Sequence, residues 1–274
     1  MIDEFLARNL PDVDEAVRKA AAIEIMPRFR QLADHEVDQK SGPHDLVTDA
    51  DRKAEEYLTA ALTRLLPGSA VVGEEAVHAD PGVYGALRAD APVWIVDPVD
   101  GTRQFVHGEP EFCTLVALAH RGELLASWTF APALEEMSTA VRGQGAYVNG
   151  ERIQSGSPEP GAELRVATAH PLYTTEEERR VLARLDIPGV APRACGSAGL
   201  EYLKVARGEM DGLAFNWPSA WDHAAGLLLV AEAGGSQSTV DGVPFRVDRD
   251  NALPFAVGRD EATAVRIREL LRGA

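Results

Sequence analysis

The segment Val93-Trp94-Ile95-Val96-Asp97-Pro98-Val99-Asp100-Gly101-Thr102 constrains this chain most, because residues that must be buried run directly into a turn carrying two carboxylates and a hydroxyl. Residues 93–96 are apolar and mostly β-branched or aromatic, the pattern of a short interior strand. Pro98 and Gly101 forbid its regular continuation, so the chain turns there. Asp97 and Asp100 at the mouth of such a turn repel each other unless something positive lies between them. Oxygen-only ligands point to a hard divalent cation, chiefly magnesium or manganese. The alternative, for this segment alone, is a solvated turn in which both carboxylates bond to backbone amides.

The chain of 274 residues, 45% of them hydrophobic, can bury a sizeable core as one large domain or two closely joined ones. A formal charge of -16 without any run of Lys or Arg argues against a broad grip on nucleic acid. A small anionic substrate then needs cations supplied locally. The stretch Met1-Ile2-Asp3-Glu4-Phe5 lacks the basic start of a signal peptide, and no segment approaches the roughly 20 apolar residues that span a bilayer. The expected location is the cytoplasm, with no membrane partner. Cys113 and Cys195 form no CxxC pattern and read as reduced structural thiols.

Apolar spacing predicts a helix over 12–32, divided at Pro27, and a second over 49–66 that starts at Thr48 and is closed by Pro67-Gly68. Strands are expected at 70–72 and 93–96, then an antiparallel meander over 112–120, 124–130 and 136–141. A linker at 155–161 precedes a strand at 164–169, helices over 175–185 and 198–207, a strand at 212–215, and helices over 221–233 and 260–271. The pattern is a layered α+β or α/β sandwich of alternating helices and sheets. Residues 1–150 form an α+β part with most candidate ligands, and residues 151–274 an α/β part with Asp222 and the specificity residues.

Further acids could converge on the turn. Gly73-Glu74-Glu75 follows the strand at 70–72, and Trp221-Asp222 opens a helix, where a carboxylate favours the macrodipole. Each also has a plainer reading. Asp222 has capping-box spacing from Ser219, Asp51 has it from Thr48, and Glu74 with Glu75 is an ordinary surface pair. Together these residues resemble the inositol monophosphatase family of magnesium-dependent, lithium-sensitive phosphatases. Gly73-Glu74-Glu75 is similar to its GEE motif. Asp97-Pro98-Val99-Asp100-Gly101-Thr102 is similar to DPxDGT and continues through Phe105-Val106-His107-Gly108. Trp221-Asp222-His223-Ala224-Ala225-Gly226 is similar to WDxAAG. The stretch from Lys40 to Thr48, with Asp51, resembles the family's N-terminal region, so the resemblance extends over most of the chain up to Gly235.

The resemblance implies a fold like that of inositol monophosphatase and fructose-bisphosphatase, and a homodimer. It implies that Glu74, Asp97 and the carbonyl of Val99 hold one Mg2+, and that Asp97, Asp100 and Asp222 hold a second. Asp97 bridges them, and Glu74 also touches a third, weaker ion. Two ions about 3.5 to 4 Å apart can stabilise both the attacking and the leaving oxygen. Glu74, Thr102 and Asp51 become the catalytic group, a metal-activated water attacks, and Thr102 supported by Asp51 relays its proton. Phosphate rests against the ions and the amides of Gly101 and Thr102, beside Asp100 and Asp222. Glu75 supports from behind. Lys40 neutralises acid or touches phosphate, unless it is a snorkelling surface lysine.

Ser197 and Ala198 lie in a loop similar to one that approaches the leaving group. In relatives acting on inositol, a glutamate is expected seven residues before the metal-binding aspartate; here that position is Phe215. Loss of that acceptor weakens the case for a cyclitol, and Phe215 with Trp217 suits a flatter leaving group unless Phe215 simply packs in the core. Arg103 and Gln104 are milder departures. The expected substrate is a small phosphorylated alcohol: an inositol phosphate, a sugar phosphate or histidinol phosphate. A 3'(2'),5'-bisphosphate nucleotidase, using Phe215, Trp217 and Arg193, or a fructose-bisphosphatase are alternatives. A noncatalytic metal-binding module is a different class, against which Thr102 and Asp51 argue.

Overall fold

Residues 93–96 can be apolar at every position only if both faces of their sheet are covered, and both are. The computed structural model describes residues 2–32, 36–39 and 46–273. Its first layer is α1 (Ile2–Arg8), α2 (Leu10–Ala20) and, after the antiparallel pair β1 (Val37–Gln39) and β2 (Leu46–Thr48), α3 (Asp49–Leu65). The helix predicted over 12–32 begins earlier and ends sooner. It loosens into a π-helical turn at Ala21–Ile25, just before Pro27, which has no amide to continue the ladder.

The helices of this layer pack on a mixed sheet. In it, β3 (Ala70–Gly73) leads into α4 (Glu74–Ala79), and the parallel β4 (Val93–Asp100) leads into α5 (Thr102–Val106). The predicted meander follows as β5 (Cys113–His120), β6 (Glu123–Ala131) and β7 (Glu136–Val141), each antiparallel to the last. Two strands not predicted, β8 (Gly145–Val148) and β9 (Glu151–Ile153), extend this sheet past residue 150. Period-two alternation sorts β4: Trp94 and Val96 enter the core under α1–α3, while Val93 and Ile95 enter the core on the far side.

The second sheet is built from β10 (Leu164–Thr168), α6 (Glu176–Leu182), β11 (Val190–Ala194), α7 (Ala198–Ala206), β12 (Gly212–Phe215), α8 (Ala220–Glu232), β13 (Ser236–Thr239), β14 (Phe255–Gly258) and α9 (Glu261–Arg272). Its strand order is β11-β10-β12-β14-β13. Helices α7 and α8 share one core with both sheets, and α6 and α9 cover the outer face of the second. The result is the expected alternation of helix and sheet layers, with the carboxyl end of β4 and the amino ends of α7 and α8 meeting between the sheets. Both cysteines are buried and unpaired, as expected of reduced structural thiols.

Candidate metal centre

Asp97 and Asp100 are three residues apart, so a regular strand would aim them at opposite faces. A break in register prevents this: Asp97 pairs with Leu115 and Asp100 with Cys113, so β4 holds one more residue than β5 across that interval. This is a β-bulge, which re-aims side chains at a strand end. Pro98 fits it because it has no N–H to give the ladder, and its carbonyl instead accepts from the Thr114 hydroxyl at 2.9 Å. Gly101 then adopts φ 90°, ψ 36°, and a Cβ there would meet Glu111 O and Ser197 Cβ at 3.1 Å. The turn therefore requires glycine both for its left-handed backbone and for space.

The second half of the chain completes the centre. Asp100 accepts from the Ser197 hydroxyl at 2.5 Å and from the backbone amides of Gly199 at 2.7 Å and Ala198 at 3.1 Å, so it is seated on the first turn of α7. Asp222, in the first turn of α8, accepts from the Trp217 indole N–H at 2.7 Å. Asp97 accepts from the Val99 amide at 3.1 Å. Oxygens of Asp97, Asp100 and Asp222 lie within 4.8 Å of one another. Burial raises the pKa of all three, and the charges of Glu74, Asp100 and Asp222 push Asp97 up further. None of the three is ion-paired with a Lys or Arg among the described residues. Buried, mutually repelling carboxylates without a compensating base fit a hard divalent cation.

Glu74 begins α4 and lines the same cleft, of about 260 Å³, together with Asp97, Val99, Asp100, Gly101, Thr102 and Asp222. Its placement depends on a residue that sequence reasoning missed. Glu55, on α3, is 5% exposed and accepts from the amides of Glu75 and Ala76, both at 2.8 Å. Its carboxyl fills the space above Gly73, where a Cβ would come within 2.2 Å of it. The glycine of the GEE motif thus makes room for the group that holds the start of α4. The available signal was a charge on the apolar face of α3, one turn from Asp51 and in line with Leu58 and Leu62. Glu55→Gln offers an N–H to one of the two amides; it is expected to raise the divalent-cation concentration for half-maximal activity roughly tenfold. A cation titration of phosphate release checks this.

Asp51 satisfies both of its readings. Its Oδ2 closes the capping box with Thr48, accepting from the Thr48 amide at 2.7 Å and hydroxyl at 2.6 Å, while its Oδ1 lies 3.4 Å from the Thr102 hydroxyl. Burial raises Asp51 to about 7; the bonds from Thr48 oppose the shift and the charges of Glu74 and Glu75 add to it. The Thr102 hydroxyl also has the Val99 carbonyl at 2.9 Å, so rotating one O–H exchanges two acceptors. The capping alternative for Asp222 fails, because Ser219 makes no side-chain cap bond. Glu75 lends its backbone amide to Glu55. Lys40 lies outside the described residues.

Three expectations about substrate contacts change. Phe215 is fully buried, packed on Trp217, His223 and Phe255, and does not line the cleft; the core reading holds because β12 is covered on both faces. Ser197 is 2% exposed and spends its hydroxyl on Asp100, leaving Gly196 and Ala198 of that loop to line the cleft. Arg193 is ion-paired with Glu201 and is not a lining residue. Arg103, Gln104 and Trp217 do line the cleft.

A bulged strand end thus gathers carboxylates over a cleft, inside an alternating helix–sheet sandwich. The sequence profile of the inositol monophosphatase family matches residues 7–269. The inositol-1-monophosphatase of Rhizobium meliloti is 38% identical over 206 residues, covering 73% of this chain and 74% of that protein. That of Bacillus subtilis is 32% identical over 248 residues, 86% of this chain and 89% of its own length. Among solved structures, the extragenic suppressor protein suhB of Bartonella henselae superposes with a TM-score of 0.81 at 28% identity, covering 96% of this chain and 98% of that one. The chain belongs to the inositol monophosphatase family.

Proposed function

We propose that this protein is a magnesium-dependent hydrolase of small phosphorylated alcohols that transfers the phosphoryl group directly to water. The observation that carries the reading is the cluster of buried Asp97 and Asp100 with half-buried Asp222, uncompensated by any described base, at a cleft that also holds Glu74 and Thr102. Glu74, Asp97 and the Val99 carbonyl would hold one ion, and Asp97, Asp100 and Asp222 another, with manganese as a possible substitute. Bound there, the ions supply Lewis acidity and lower the pKa of water.

The remaining steps belong to the chain's own side chains. The Thr102 hydroxyl, within reach of Asp51, takes a proton from the attacking water as it passes its own proton to Asp51. Asp51, 3.4 Å from that hydroxyl, is the acceptor that completes the relay. Water oxygen bonds to phosphorus, the ester P–O bond breaks, the departing alkoxide takes a proton from solvent water, and Asp51 returns its proton to solvent. Gly101 and Thr102 offer backbone amides to phosphate, and Gly196 and Ala198 border the leaving group. No covalent phosphoenzyme is required.

The names of the Rhizobium and Bacillus relatives support an inositol phosphate as one substrate, and sugar phosphates and histidinol phosphate belong to the same chemical group. The protein is proposed to act in the cytoplasm as a homodimer, without a nucleic-acid or membrane partner; among the described residues no helix is long and apolar enough to cross a membrane. Phosphate release from inositol 1-phosphate, histidinol phosphate, sugar phosphates and adenosine bisphosphate, with and without magnesium, tests the reading. Magnesium-dependent release from at least one is expected. Metal binding without release from any would make the chain a noncatalytic module.

A further inference from the structure

Trp217 is fastened at three points. Its indole N–H donates to Asp222 at 2.7 Å, and its backbone carbonyl accepts from His223 Nε2 at 2.9 Å. Its ring centroid lies 4.4 Å from that of Phe215 and 5.0 Å from that of His223. The other ring nitrogen of His223, Nδ1, lies 3.1 Å from the Tyr202 hydroxyl, which also holds that ring in place. Phe215 and His223 are both fully buried, so they occupy the inner side of the indole, while Trp217 itself stays half-buried and lines the cleft. Its orientation is fixed before any substrate arrives, which removes the ordering cost of a mobile wall. His170 and Tyr173 add further aromatic lining.

We infer that Trp217 determines specificity in this chain: its ring is a preset wall selecting phosphate esters of alcohols that carry a flat ring, and its N–H is a positioning contact for Asp222. The inference rests on the phosphomonoesterase reading and adds the leaving-group class. A flat ring can offset-stack on an indole, whereas a puckered ring of the same size keeps only its area of contact.

Benzyl phosphate and cyclohexylmethyl phosphate isolate this difference, since both release a primary alcohol of similar size. The wild-type protein should hydrolyse benzyl phosphate with a kcat/KM about fivefold higher, the range a stacked aromatic pair supplies. Trp217→Leu should bring the ratio to about one and raise the magnesium concentration for half-maximal activity. Trp217→Phe, which keeps a ring but loses the N–H, should retain most of the preference while still needing more magnesium. That separation of KM ratio from metal requirement is one that general destabilisation would not produce. Equal kcat/KM for the two esters in the wild type, or a ratio unchanged in Trp217→Leu, overturns the inference alone. Hydrolysis of neither, nor of any other monoester, overturns the phosphatase reading with it.

Discussion

Asp97→Asn is expected to lower turnover by roughly a thousandfold and, at the same time, to make the cation-free protein more stable. The two effects share one cause. Asp97 is buried beside Glu74, Asp100 and Asp222, and its carboxyl is held well above the usual carboxylate range by burial and by those charges. Asparagine keeps an oxygen for the Val99 amide, 3.1 Å away in the native protein, but brings no charge into the cluster. Without cation, the variant should melt a few degrees higher, since relieving about 1 kcal/mol of repulsion moves the midpoint by roughly 2–4 °C in a chain of this size. Adding magnesium should raise the melting temperature of the wild type and leave the variant nearly unchanged. Thermal unfolding and phosphate release on the same samples check both halves; near-normal turnover would refute the bridging role proposed for Asp97.

Chelation should make stability depend on pH in a direction opposite to ordinary acid denaturation. Asp51 and Glu55 rise to about 7 in the folded chain, chiefly through burial, and Asp97, Asp100 and Asp222 are also raised. A carboxyl with a raised folded value favours folding when protonated. Its contribution is therefore fully present below about pH 4, the unfolded value, and is lost as pH rises through the folded value near 7. The chelated protein should accordingly lose stability between about pH 4 and pH 7, and magnesium, by favouring the ionised forms, should abolish most of that slope. Melting temperatures across this range, in chelator and in magnesium, decide it; parallel curves would mean the acids do not meet a cation.

Much of this centre was legible because its acids stand at element boundaries marked by local chemistry. Pro98 marks the bulge in β4 and Gly101 follows its end, Gly73 precedes Glu74, and Trp221-Asp222 opens α8. The bulge was not legible, since register belongs to the pairing with β5 and not to β4 alone. Nor was Glu55, because a glutamate inside a helix reads as a solvated charge until its face is known. Strand β13, Ser236-Gln237-Ser238-Thr239, has no apolar alternation, and β11 contains Pro192, which only an edge position tolerates. At Phe215 the sequence left a substrate contact and a core position both open. Burial of both faces of β12 decides for the core, while Trp217 lines the cleft.

The most direct measurement is the rate of phosphate release by the fully chelated enzyme as magnesium is added back, with ion binding followed by calorimetry on the same preparation. The expected result is no release in chelator, at least two ions bound per chain, and turnover that rises with the second. Full turnover in chelator, or two ions bound with no phosphate released from any monoester, would contradict the assignment of Asp97, Asp100 and Asp222 as a catalytic metal centre.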